Sequence, residues 1–270
     1  LESWAGFLFA SYLDHGPSLS VWLGDMPKHF ERYSGAEFEC VRRRKFTVRC
    51  NWKFLIENAL ETYHTGTVHQ TSLGKQQSEI IPTNGNWLCL RVFVDGKDSV
   101  SVLSSSDDSF PVQSHLEGKE RTSTYFTNIL PCTQFVFAPD AMWWLAINPV
   151  SAGETTLEVG SCFRAQNQTR KTFDRISKAY FDRLDMATPE DNAICEAQHL
   201  GNYRILSDSP AAASSSSCST LSSDSCCPLV YRSKFFYATP SGDCLSMPTT
   251  MGSHSGNSTA VEPAGDSTDP

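Results

Sequence analysis

Apolar residues recur at the helical interval in "NWKFLIENALETYH": Trp52, Leu55, Ile56, Ala59, Leu60 and Tyr63 form one stripe, and Gly66 predicts its end. The preceding "FTVRC" reads as a strand that runs directly into this helix. The period then shortens. "WLCLRVFV" and "DSVSVLS", split by the turn "DGKD", predict a hairpin. "RTSTYFTNIL", "TQFVFA", "AMWWLAINPV" and "TTLEVGSCFRA" follow, with turn residues between them, so about six consecutive strands predict an antiparallel meander. Helical spacing returns with Phe173, Ile176, Tyr180, Phe181 and Leu184. A second helix is expected from Thr188 as N-cap and Pro189 in its first turn, stopped by Gly201. An antiparallel sheet gripped by a long C-terminal helical segment is an α+β domain, a helix-grip layout.

Composition divides the chain into three. Positions 1–40 are mixed, with a strand-like "GFLFASYL" and a polar stretch after it; 41–205 hold the periodic core. From 206 to 270 the sequence is rich in Ser, Thr, Gly and Pro and is expected to be mostly disordered, apart from the island "PLVYRSKFFYA". At 40% hydrophobic residues the chain can bury a sizeable core. The net charge of -8 argues against nucleic acid, and the one basic cluster, "VRRRKFTVR" at 41–49, reads as the solvated face of a strand. No apolar run approaches a bilayer span and the start is no signal peptide. Six scattered cysteines between Cys40 and Cys195, without a CxxC, read as buried thiols of a reducing compartment. An intracellular soluble protein is therefore expected, in cytoplasm or plastid stroma.

The chemistry concentrates in "CNWKFLIENALETYHTGTVHQTSLG". On a straight helix His64 and His69 would lie about 140° apart, since five residues turn roughly 500°. Gly66 and the β-branched Thr65, Thr67 and Val68 predict that the helix ends or bulges after His64, which can bring both imidazoles to one point. Glu57, Glu61 and His64 follow i, i+4, i+7 and are expected on one face. The zinc-protease spacing HExxH is absent. Two histidines with one carboxylate from elsewhere form the facial triad of non-heme Fe(II) oxygenases, with positions left open for O2. For the carboxylate, Asp191 and Glu190 compete, and Asp191 has an alternative use as the third residue of a capped helix start after Thr188.

"NWKFLIENALETYHTGTVH" resembles the iron-binding signature of the α subunits of Rieske non-heme iron oxygenases, in its Asn-Trp-Lys, Glu-Asn and acid-x-Tyr-His-x4-His parts. The likeness continues through "SFPVQSHLEGKERTSTYFTNILPCTQFVFAPDAMWWLAINPV" to "EDNAICEAQHLG", over about positions 1–203. Within that family it looks closest to the group holding ring-hydroxylating dioxygenases and choline-, carnitine- and betaine-type monooxygenases. The resemblance implies His64, His69 and Asp191 as ligands of a mononuclear Fe(II). It implies Glu61 as the acid joining that iron to the Rieske cluster of a neighbouring subunit, and on weaker grounds Asn58 and Tyr63 as residues behind the ligands.

A [2Fe–2S] Rieske cluster needs Cys-x-His and Cys-x2-His, and neither occurs in the sequence. The resemblance places that domain upstream, so the chain reads as truncated, with 1–40 as the remnant that follows it. The implied protein hydroxylates or oxidatively demethylates a small organic substrate, aromatic or quaternary-ammonium in type. Its electrons come from NAD(P)H through a reductase or ferredoxin, and it assembles as a homotrimer. Trp143, Trp144, Phe135 and Phe137 are candidates for lining the pocket, although core packing is the commoner use of such residues. Two rival readings are a non-catalytic helix-grip module that binds a hydrophobic ligand and an interaction protein working through the tail.

Overall fold

The computed structural model describes residues 1–207, except 12, 14, 97–99, 104 and 107. The expectations for the tail and its apolar island, and the turn residues Lys97 and Asp98, lie outside the described residues. Strands β1 (Glu2–Trp4) and β2 (Phe7–Phe9) form a small hairpin, and helices α1 (Leu19–Leu23) and α2 (Met26–His29) follow it. Strand β3 (Phe38–Val48) leads into helix α3 (Trp52–Ala59), which Asn51 caps by accepting from the Lys53 amide. Strands β4 (Gln77–Ile81) and β5 (Trp87–Phe93) come next. After the short α4 (Gly118–Arg121) follow β6 (Thr124–Ile129), β7 (Thr133–Phe137), β8 (Met142–Ser151) and β9 (Glu154–Arg164). The short α5 (Ala165–Gln168) and the long α6 (Phe173–Ser207) complete the fold.

Strands β3 to β9 make one antiparallel sheet in the order β3-β9-β8-β7-β6-β5-β4. Five consecutive strands, β5 to β9, form the expected meander, and the arginines at 42–44 of β3 lie partly to fully exposed at its edge. Period-2 alternation gives the sheet two different faces. One face carries Phe135, Phe137, Trp144 and Trp87 and is covered by Phe7, Phe9, Trp22, Met26, Phe30 and Tyr33 from the N-terminal segment. Apolar side chains between Trp4 and Tyr33 thus join this core, and position 40 lies inside β3. Gly160 on β9 makes room for its cross-strand partner, since a Cβ there would lie 2.1 Å from the Trp144 indole. The other face carries Val136, Trp143, Ile147, Leu157 and Val159 and packs on α3 and α6.

Three expectations change. "DSVSVLS" does not form a strand over its described residues 100–103; β5 pairs instead with β4, a strand with too little apolar alternation to stand out in the sequence. In the 100–103 stretch, side chains take over the polar backbone and side-chain groups: Arg183 donates to the Val100 carbonyl and Ser101 to Asp140. The second helix does not begin at Thr188 or stop at Gly201, because α6 is continuous from Phe173 to Ser207 with Pro189 inside it. Interior proline costs about 3 kcal/mol. The turns on either side are held by the buried Tyr180, Leu184, Ala187 and Cys195, so tertiary packing overrides the local break. With no helix start there, Asp191 has no cap to complete.

Candidate metal centre

Helix α3 ends at Ala59, earlier than its apolar stripe predicts, and residues 63–66 form a separate 3-10 turn. Within this turn Thr65 Oγ1 donates to the Thr62 carbonyl and Thr67 Oγ1 to the His64 carbonyl, side-chain bonds that accompany the backbone ones. Glu57, Glu61 and His64 therefore do not share one helical face, and Glu57 stays exposed. The break folds the segment back so that the rings of His64 and His69 lie 5.1 Å apart, inclined at 70°.

Asp191 reaches the same point from α6. Its Oδ1 lies 3.4 Å from His64 Nε2 and 2.9 Å from His69 Nε2, and it accepts from Asn58 Nδ2 at 2.8 Å. One ligand atom from each of His64, His69 and Asp191 falls within 4.8 Å of the others. The opposite nitrogen of each ring is held by a carboxylate: His64 Nδ1 by Glu61, and His69 Nδ1 by Glu190 at 2.7 Å. Ser72 Oγ donates to the same Glu190 oxygen at 2.6 Å and fixes it. A carboxylate on Nδ1 keeps the proton there and leaves Nε2 to face a cation, an arrangement typical of metal-binding histidines.

The electrostatics agree. Burial opposes the charge on Asp191, but hydrogen bonds from His64 and His69 outweigh it and hold the carboxyl at about 2. Burial likewise disfavours charge on both histidines, yet Asp191 with Glu61 raises His64, and Asp191 with Glu190 raises His69. The site attracts positive charge.

The structure thus brings His64, His69, Asp191, Glu61 and Asn58 together. Tyr63 it does not: one step before His64 in the 3-10 turn, it points away and is 78% exposed. Glu190 is a partner of His69 rather than of the metal position, a role no sequence spacing signalled across 121 intervening positions. The site opens into a cavity of about 120 Å³ between α3, α6 and the sheet, with Leu55, Phe126, Val136, Trp143 and Leu157 among its walls. Of the four aromatic candidates only Trp143 lines it; Phe135, Phe137 and Trp144 face the opposite core, as alternation along β7 and β8 requires.

A family model described as "Ring hydroxylating alpha subunit (catalytic domain)" matches residues 34–219 of the 270. The large oxygenase component of the naphthalene 1,2-dioxygenase system of Ralstonia sp is 32% identical over 90 residues, 32% of this chain and 20% of that protein. The corresponding component from Pseudomonas aeruginosa is 31% identical over the same length. Among solved structures, the quaternary ammonium Rieske monooxygenase CntA matches with a TM-score of 0.57 at 21% identity, over 75% of this chain and 53% of that one. Naphthalene 1,2-dioxygenase from Rhodococcus sp., bound to indole, matches with a TM-score of 0.56 at 14% identity, over 73% and 52%. The chain spans about half the length of these structures, and at these identities they support the fold.

Proposed function

The chain belongs to the ring-hydroxylating α-subunit catalytic-domain family, and on that premise we propose that it is the oxygenase domain that binds a mononuclear Fe(II) on His64, His69 and Asp191. The observation that carries this reading is the donor set: two imidazole nitrogens and one carboxylate oxygen converge within 4.8 Å, each imidazole backed by its own carboxylate. That set fits a 2-His-1-carboxylate iron site with open positions. When bound, the iron supplies activation of O2 for hydroxylation, cis-dihydroxylation or oxidative demethylation of a small organic substrate, aromatic or quaternary-ammonium in class.

The chain's own residues do the rest. Glu61 and Glu190 orient the two rings, and Asn58 orients Asp191. The apolar walls exclude water from the reacting end and hold the substrate beside it. Glu61, 15% exposed at the rim, is the group that faces the route of electron delivery. In the assembled protein it joins this site to the [2Fe–2S] Rieske cluster of a neighbouring subunit in a homotrimer, with electrons from NAD(P)H through a reductase or ferredoxin. No described helix is long and apolar enough to cross a membrane.

The test is metal content after anaerobic reconstitution with Fe(II). About one iron per chain is expected, falling near zero in His64→Ala and His69→Ala while the circular dichroism spectrum and melting transition stay close to those of the parent. Iron retained at parent stoichiometry in both variants overturns the assignment.

A further inference from the structure

Arg183 stands on the face of α6 that carries Asp191, two turns nearer the N-terminus, with the Cα atoms roughly 12 Å apart at 1.5 Å per residue. It lines the same cavity and is only 9% exposed. Its Nε donates to the Val100 carbonyl at 3.0 Å, and the guanidinium lies over the Trp143 ring at 5.6 Å. Among the described residues the two terminal guanidinium nitrogens have no hydrogen-bond or ion-pair partner. Asp191 and Asp140 act on this charge from a distance, and the terminal nitrogens are left free to meet a group that enters the cavity.

Two neighbours add donors. Trp143 Nε1 and Gln134 Nε2 are buried, line the cavity and meet no acceptor. Gln134 and Trp143 lie on adjacent strands, where Gln134 is registered with Leu145 and Trp143 with Val136. An indole N–H and a guanidinium only donate, so nothing but an acceptor can answer them. The cavity's unpartnered acceptors, Asn58 Oδ1 and Asn192 Oδ1, belong to the metal end: Asn58 bonds Asp191, and Asn192 follows it in the chain. The cavity thus offers donors from Arg183, Trp143 and Gln134 beside the metal position. Burial lowers Arg183 to about 10, against the attraction of Asp191 and Asp140, and it remains cationic at neutral pH. Asp140 is already engaged by Ser101 and Tyr180.

We propose that Arg183, with Trp143 and Gln134, forms a carboxylate-binding subsite, so that the substrate is a small organic acid held by its carboxylate with its reacting carbon at the metal end. A quaternary ammonium group would meet Arg183 as a like charge at this end. The volume of about 120 Å³ limits the acid to one small ring or a short chain, since an apolar cavity of ~150 Å³ takes up benzene. This inference rests on the oxygenase reading of the same cavity.

The experiment is calorimetric titration of the full chain, iron-free so that metal coordination does not contribute, with benzoate and phenylacetate, each against its own amide. At least one acid is expected to bind about 10- to 100-fold more tightly than its amide, the range of charge-assisted hydrogen bonds. That preference should fall to near unity in Arg183→Gln and weaken several-fold in Trp143→Phe, which keeps the ring and removes the donor. Acids and amides binding alike, or not at all, overturn the proposal without any variant. A preference that survives in Arg183→Gln overturns the assignment to Arg183. Iron content after Fe(II) reconstitution of a parallel portion of each protein separates the two readings: iron bound without acid preference removes only the subsite, and acid preference without iron removes only the oxygenase.

Discussion

The two faces of the sheet are built from the same strands and do opposite things. On one, Phe30 stacks on Phe137 at 4.4 Å, Phe7 meets Phe135 edge-on at 4.7 Å, and the N-terminal segment covers them all. On the other, one residue along in register, Gln134, Val136 and Trp143 leave a cavity that holds two histidines, an aspartate and a buried arginine. A buried polar group without a partner costs a few kcal/mol, so such a set persists only where the rest of the core more than compensates for it. The close-packed aromatic face offsets what the cavity face leaves unpaired. Stability and chemistry are segregated by a period of two.

The strongest way to break this division is to remove the same side chain from each face. Phe135→Ala, on the sealed side, is expected to cost about 3–5 kcal/mol of stability, read as a lower urea midpoint at unchanged slope. Phe126→Ala, on the registered neighbouring strand β6 but lining the cavity, should cost less than about 2 kcal/mol, because part of its surface already faces empty space. Equal losses would mean that the two faces are equally packed.

The next test sharpens the polar side. Glu190→Gln should weaken metal binding about 10- to 100-fold, the usual effect of removing the group that orients a ligand, measured by competition with a chelator, with little change in melting. Ser72→Ala, which frees the same carboxylate from its second bond, should move affinity in the same direction by less. A Glu190→Gln protein that binds metal as well as its parent would leave Glu190 as a spectator.

Much of this was legible in the chain and some of it was not. The meander and the two helical segments follow from periodicity, and a break between His64 and His69 is expected from Gly66 and its β-branched neighbours, although the α-helix ends at Ala59, before His64 rather than after it. The stripe misled at Leu60 and Tyr63, which lie beyond the helix end at Ala59. The Thr188–Pro189 pair misled more, since capping chemistry is local while four buried residues on α6 outweigh it. Glu190 on His69 and Arg183 over Trp143 are contacts between distant parts of the chain, and a single sequence holds no trace of them.

Smaller in effect is the pH response of the metal-free protein. His64 and His69 are raised, so their contribution is fully present below the ordinary histidine value of 6.5 and is lost as pH rises through their folded values. Asp191 is held at about 2, so its contribution is present above 3.8 and is lost as pH falls towards 2. Metal-free stability should therefore be greatest between about pH 4 and 6.5 as far as this site governs it. A divalent metal reverses the alkaline limb, because it displaces the histidine protons and binds better as they leave. Melting curves with and without metal from pH 5 to 9 should diverge as pH rises. Parallel curves would show that the two histidines are not proton competitors of the metal.

The smallest expected effect is at Tyr63, and its smallness is the point. Tyr63 is the immediate chain neighbour of His64, yet it is 78% exposed while His64 is 9% exposed. In a 3-10 turn successive side chains diverge by about 120°, so adjacency in sequence places Tyr63 away from the ligands, whereas Asn58, six positions back, touches Asp191 at 2.8 Å. Tyr63→Phe should change stability by less than about 0.5 kcal/mol, as surface substitutions do, and leave metal affinity within two-fold. Asn58→Ala should lower that affinity several-fold, because Asp191 loses the bond that fixes its oxygen. If Tyr63→Phe moved metal affinity as far as Asn58→Ala does, the turn would have to present Tyr63 to the ligands, and proximity in the chain would count for more here than proximity in space.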